Sequence, residues 1–263
     1  MKLAISNIAW LSQDDEFVYD LMEKYGYTGL EIAPSRIIPD APYDNIDYAV
    51  KWKEKIRTEK RFEIPSIQSV WYGRKENLFA SEEEREILRD YMKKAIIFAE
   101  SIECPSLVMG CPKNRNIPSG EEQKAMEVAI QFFGELGEFA IEHHTAIALE
   151  AVPVIYNTNF VNDTETAIDL IKEIGSKGFR LNLDIGTIIE NGEDIRIVEK
   201  AVDYINHVHI SEPGLIEIRE RELHLELRNI LEKMNYDKYI SIEMGKENNI
   251  ENVIKYVAKI FGN

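Results

Sequence analysis

The sequence predicts a (β/α)8 barrel, a TIM barrel folded as a single domain over residues 1–263, and three observations carry that prediction. Eight short apolar runs alternate with helix-like segments along the chain. The last four runs each end on a metal-binding side chain, in the order Glu150, Asp184, His209 and Glu243. The loop after the first run, Asn7-Ile8-Ala9-Trp10-Leu11-Ser12, holds no glycine, so the phosphate turn of an open dinucleotide-binding sheet is missing. About five apolar or β-branched residues followed by a helical pattern mark a parallel strand with its crossover, and eight such units in about 260 residues suit a barrel.

In order, the first four runs are Leu3–Ala9, Gly29–Ile32, Ile64–Val70 and Ser106–Met109, of which the second and fourth are the shortest. The next four read IALEAVP, FRLNLDIGT, NHVHISEP and YISIEMG. Helix ends are marked between them. The segment Asp14–Tyr25 stops at Gly26, which suits a left-handed cap. Ser81 with Glu84, and Ser119 with Glu122, have the spacing of capping boxes opening the two longest helices. Asp163 and Thr164 open a helix running to Gly175, and Asn249 is placed to open the last one. No linker or low-complexity tract divides the chain.

Composition narrows the function. A hydrophobic share of 44% is ordinary for a globular protein, but a formal charge of −16 repels phosphate backbones and anionic membranes. Nucleic acid and membrane partners are therefore not expected. Cys104 and Cys111 have no zinc-ribbon or disulfide spacing. The start, Met-Lys-Leu-Ala-Ile, is interrupted by Ser6 and Asn7 and followed by Asp14, Asp15 and Glu16, unlike a secretory leader or a membrane span. A cytoplasmic enzyme with a small-molecule substrate is expected, and a homo-oligomer is compatible with this pattern.

All strand C-termini of a parallel barrel face the same way, so Glu150, Asp184, His209 and Glu243 can converge. Three carboxylates and an imidazole form a mostly oxygen shell for one divalent cation, with manganese, zinc, cobalt and magnesium all suited. The alternative reading of each residue alone is a solvated loop carboxylate or a hydrogen-bonded histidine. Four of them on consecutive strands, each beside apolar residues where an unpaired charge costs several kcal/mol, favour the cation.

The second half of the chain resembles the xylose-isomerase-like TIM-barrel superfamily, which includes sugar phosphate isomerases and epimerases and endonuclease IV. The resemblance is carried by those four residues, by Tyr236-Asp237-Lys238-Tyr239-Ile240-Ser241-Ile242-Glu243-Met244 at the last strand and by Gly29-Leu30-Glu31-Ile32 at the second. It implies a metal-dependent isomerase or epimerase of a small sugar, sugar phosphate or related hydroxy-carbonyl compound. Such an enzyme removes a proton next to a carbonyl and returns it elsewhere, through an enediolate that a metal stabilises. Glu150 and Glu243, approaching from different directions, are the expected base and acid. A dehydratase using the same site to expel a β-hydroxyl is the alternative, followed by a phosphodiesterase and a catalytically silent sugar binder.

The match departs from the family pattern in three places. Thr187 stands where many relatives have a substrate-touching histidine, Tyr156 or Asn157 where ketose 3-epimerases have a second glutamate, and Leu215 where they have an arginine. These departures count against a plain ketose 3-epimerase. His224 lies fifteen residues past His209, where endonuclease IV has a further zinc ligand, and is read either as that ligand or as a residue facing the cleft mouth or solvent. Gln68 and Gly110 replace other histidines of that nuclease, which counts against it.

Substrate contacts are expected from Trp10, Glu31, Gln68, Trp71, Lys113, Arg115, Asn157 and Thr187, all following strands at the same end. The tryptophans would stack on sugar faces or else pack beneath loops. Lys113 and Arg115, in a loop stiffened by Pro112, favour a phosphate or carboxylate on the substrate. His143 and His144 end a long helix at the opposite side, and His207 is expected to point away from His209.

Overall fold

The computed structural model describes residues 1–246 and 249–262. The chain begins with strand β1 (Lys2–Ser6) and helix α1 (Asp15–Lys24), then β2 (Gly29–Glu31), α2 (Pro34–Ile37), α3 (Ile46–Lys60) and α4 (Glu82–Ser101). Next come β3 (Leu107–Met109), α5 (Glu122–Glu142), β4 (Ile147–Glu150), α6 (Thr164–Ile174) and β5 (Phe179–Asp184). The remainder is α7 (Ile185–Asn191), α8 (Ile197–Ala201), β6 (Ile205–Ile210), α9 (Glu222–Lys233), β7 (Tyr239–Ile242) and α10 (Ile250–Phe261). All pairings are parallel, in the order β2-β1-β7-β6-β5-β4-β3.

The eighth position is filled without a ladder strand. The run expected at Ile64–Val70 joins its neighbours only through bridges of Glu63 with Gly29 and of Ile67 with Ile32 and Leu107. Pro65 has no N–H to donate, which explains why the run cannot make a continuous ladder. Individual bonds still close the ring: Leu30 N donates to Glu63 O at 2.9 Å and Ile67 N to Ser106 O at 2.8 Å. The result is a TIM barrel with seven laddered strands and one bridged segment.

Buried residues from Leu3 to Phe261 form one hydrophobic cluster. The helix signals at α1, α4 and α6 agree with the structure: Gly26 takes φ 78°, Ser81 Oγ accepts from Glu84 N, and Asp163 accepts from Thr166 N. The Ser119–Glu122 box does not form. Gly120 turns the chain at φ 81°, α5 starts beyond Glu121, and the Glu122 carboxylate accepts from Gly120 N at 3.3 Å instead. Among the described residues no helix is long and apolar enough to cross a membrane.

Candidate active site

Register brings the four strand-end residues together. Asp184 of β5 lies opposite His209 of β6, Glu150 of β4 opposite Asn182 of β5, and Glu243 follows β7 with its N–H bonded to Ile210 O at 3.0 Å. Because the strands are parallel, these positions share one end of the barrel. Glu150, Asp184, His209 and Glu243 each offer a ligand atom within 4.8 Å of the others.

His209 is the centre of this arrangement. It is wholly buried, and its Nδ1 lies 3.2 Å from both Glu150 Oε2 and Glu243 Oε2. Its Nε2 lies 3.0 Å from Glu31 Oε2. Glu31 also accepts from Ser66 Oγ at 2.5 Å and lies 3.0 Å from His207 Nε2. Burial opposes its charge, but the His209 and His207 imidazoles outweigh this and hold it well below the usual carboxylate range. A charged Glu31 accepts the Nε2 proton, which leaves Nδ1 facing Glu150 and Glu243. Glu31 was expected to touch substrate at the mouth; instead it is completely buried behind His209.

The expected divergence of His207 and His209 is also corrected. Side chains alternate along a strand, so residues two apart share a face. Both imidazoles point inward, with ring centroids 5.3 Å apart.

The electrostatics suit an added positive charge. Burial and the neighbouring Glu150 push Asp184 up to about 6, and burial with repulsion from Glu150 and Asp184 pushes Glu243 up to about 7 against the pull of His209. Burial works against a charged His209, yet Glu31 and Glu243 raise it well above the ordinary imidazole range. The three carboxylates thus crowd one another around a single cationic partner. A divalent ion bound by three oxygens and one nitrogen fits this donor set. A methyl group at Gly110 would lie 2.8 Å from Glu150 Oε1, so the glycine leaves room for this carboxylate.

Several supporting residues were not anticipated. Asn182 Nδ2 donates to Glu150 Oε2 at 2.7 Å and lies 3.1 Å from His209 Nδ1. Its signal was present as one amide inside the apolar Leu181-Asn182-Leu183. Ser211 Oγ donates to Asp184 Oδ1 and accepts from Gly186 N at 2.8 Å. Glu212 is buried at the cleft wall and gripped by Arg221 through Nε at 2.7 Å and Nη2 at 2.5 Å.

Above the cluster lies a cleft of about 200 Å³. Gln68, Cys111, Pro112, Val152, Tyr156, Thr187, Leu215 and Glu212 help line it, with Glu150, Asp184 and Glu243 at its floor. Wider depressions of about 600 and 690 Å³ lie on the helical flanks, away from the converging ligands. Tyr156 Oη accepts from Gly214 N at 2.7 Å, and Gly245 N donates to Leu215 O at 2.7 Å. These bonds tie the β6–α9 loop across the cleft.

Of the expected substrate contacts, Gln68 and Thr187 line the cleft, but both are already engaged. Gln68 Nε2 donates to Ser6 Oγ at 2.8 Å. Thr187 N donates to Asp184 Oδ2 at 2.7 Å, and its hydroxyl lies 2.8 Å from Ala151 O. Thr187 therefore orients a ligand. Trp10 and Trp71 are core residues: Trp10 Nε1 donates to Asp15 at 2.8 Å, and Trp71 packs edge-on against Phe132. Asn157 is exposed at φ 58° while its neighbour Tyr156 lines the cleft. Lys113 is exposed outside the lining.

Arg115 is fully buried beneath the floor, donating from Nη2 to the Glu150 carbonyl at 2.9 Å, and burial lowers its guanidinium to about 10. His224 neither joins the cluster nor faces solvent. It is buried on α9 against Tyr256, whose hydroxyl lies 2.9 Å from Nδ1, and burial lowers it to about 4. His143, as expected, is peripheral, with Nδ1 2.6 Å from Glu100.

The fold and this cluster can be set beside known proteins. The chain superposes on 3-keto-D-glucoside 4-epimerase YcjR from E. coli with a TM-score of 0.78 at 15% identity, covering 99% of this chain and 98% of that one. It superposes on D-psicose 3-epimerase from Clostridium cellulolyticum H10 with a TM-score of 0.77 at 15% identity, covering 99% and 91%. For the probable 3-DHS dehydratase AsbF from Bacillus anthracis the TM-score is 0.70 at 16% identity, covering 100% and 99%. At these identities the likeness is one of fold. No functionally curated protein matches the sequence. The family model described as xylose isomerase-like TIM barrel matches residues 19–260, so the chain belongs to that family.

Proposed function

We propose that the protein is a metal-dependent isomerase or epimerase of a small sugar or related hydroxy-carbonyl compound, acting through an enediolate. The observation that carries this reading is the pair Glu150 and Glu243. The two carboxylates reach His209 Nδ1 from separate strands, each at 3.2 Å, and both face the cleft. One takes the proton from the carbon next to the carbonyl, and the C–H electrons shift to form the enediolate. The other returns a proton to the opposite face, or to the former carbonyl carbon.

Glu150, Asp184, His209 and Glu243 would hold the divalent cation, which would supply positive charge to stabilise the developing oxyanion. Asn182 orients Glu150 and His209, and Thr187 and Ser211 orient Asp184. The family membership, the fold shared with two epimerases and this donor set support the reading. The shared fold of a dehydratase supports a second outcome, expulsion of a β-hydroxyl from the same enediolate.

The test is NMR of candidate ketoses in D2O with the chelator-treated and the cation-reloaded protein. Deuterium uptake into substrate or epimer, restored by cation, is expected. Loss of water without uptake into recovered substrate would assign the dehydratase reading. Cation binding at the four residues with no exchange or turnover across ketose, ketose phosphate and cyclic ketone panels would end the proposal.

A further inference from the structure

We infer that the cleft selects an uncharged polyhydroxy ketone and discriminates against phosphorylated or carboxylated ones; this rests on the isomerase reading above. Glu150, Asp184, Glu212 and Glu243 line the cleft, and no lysine or arginine does so among the described residues. The three residues outside the description are Glu247, Asn248 and Asn263, none of them basic.

The cations on the loops at this end lie outside the lining, Arg219 and Lys246 among them, both exposed. Arg221 is held as a fork on Glu212. Arg115, the residue the sequence offered as an anion clamp, is buried below the floor with Nη2 on the Glu150 carbonyl, and Lys113 is exposed outside the lining. Gly214 N of the overhanging loop is engaged on Tyr156, and Gly245 N after β7 on Leu215 O. A phosphate thus meets no guanidinium or ammonium in the lining, and these two N–H groups are not free to bind it.

Charge acts in the same direction. Three charged carboxylates outweigh one divalent cation, and Glu212 with Arg221 adds no net charge. An anionic substituent entering the cleft therefore meets like charge, an arrangement interfaces use to reject wrong partners. Hydroxyl groups, in contrast, can donate to Glu150 and Glu243 and accept from the Tyr156 hydroxyl and the second N–H of Gln68 Nε2. The apolar lining residues Val108, Pro112, Val152, Pro153 and Leu215 offer a sugar carbon face no ionic partner. A volume of about 200 Å³ suits a single sugar-sized unit.

The cation-loaded protein should be assayed by deuterium uptake in D2O with matched pairs: D-fructose with D-fructose 6-phosphate and with D-fructuronate, and D-xylulose with D-xylulose 5-phosphate. D-tagatose and a keto-inositol extend the neutral series. A free ketone should exceed its charged counterparts in kcat/KM by about a hundredfold. Equal rates, or exchange confined to the charged compounds, would overturn the substrate class and leave the isomerase reading standing. No exchange in either series, with cation bound, would overturn that reading and this inference together.

Discussion

The half of the barrel from β4 to β7 and the half from β1 to β3 are built on different terms. In the first, strands of four to six residues are laddered to both neighbours, and each carries one of the four converging residues or, in β7, is followed by it. In the second, β2 and β3 have three residues each, and the segment between them is joined only by bridges around Pro65. Polar residues of this half turn inward or bond to one another: Glu31 backs His209, Ser66 bonds Glu31, and Gln68 bonds Ser6. Continuous ladders set relative strand height, which sets ligand-to-ligand distance. The looser half closes the ring and supplies the buried acceptor that orients the histidine. The four converging residues lie in the half whose strands are all laddered on both sides.

The sharpest way to break this comparison is to remove the proposed base and acid. Glu243→Gln and Glu150→Gln keep size and an oxygen donor but lose the carboxylate, and each should lower turnover by about 10²–10⁴-fold. Deuterium exchange at one position can survive in one of the two variants, which would identify the faces. Near-parental rates in both, with cation bound, would contradict the two-carboxylate mechanism.

A smaller effect is expected from the other half. Glu31→Gln retains the shape but replaces the charged acceptor of the His209 Nε2 proton, and should weaken cation binding by about 10–100-fold. Competitive titration against a chromophoric chelator reads this without reference to activity. Unchanged affinity in a folded variant would show that the bridged half does not tune the site.

The third test is pH. Asp184 and Glu243 have folded-state values raised to about 6 and about 7, above their ordinary range, so the folded metal-free protein holds their protons more tightly than the unfolded chain does. Stability from these two groups is therefore greatest at acid pH and falls as pH rises from about 4 through about 7; the raised His209 adds a loss of the same sign. Burial lowers His207 and His224, which act in the opposite sense below about pH 6.5, so the loss is read above it: between pH 6.5 and pH 8 the Tm of the metal-free protein should fall by roughly 2–4 °C, and cation should reverse the fall. A flat profile without metal would mean the carboxylates relax apart.

Legibility followed physical cause. Asp184, His209, Glu150 and Glu243 could be read because each sits where an apolar strand ends, and parallel strands must end on one side. Asn182 carried a comparable signal as a polar residue inside an apolar strand, but only its contacts reveal that it braces two ligands. Lys113 and Arg115, expected as a substrate clamp, lie outside the cleft lining, one exposed and one buried, because loop position says nothing about side-chain direction. Trp10 and Trp71 were ambiguous for the same reason: aromatic residues after strands pack downward as readily as they face a cleft. Ser119 matched the spacing of a cap, yet the turn at Gly120 moved the helix start past it.

What the sequence determined by itself was the alternation of strand and helix, and with it the barrel, the common end of the strands and the four residues gathered there. These depend on periodicity and chain order, which are local properties. The tertiary structure decided which nitrogen of His209 meets the carboxylates, that Glu31 lies behind it, that Arg115 is buried and that, among the described residues, no lysine or arginine lines the cleft. Those are matters of side-chain direction between residues as far apart as Glu31 and His209, and only packing across the closed barrel sets them.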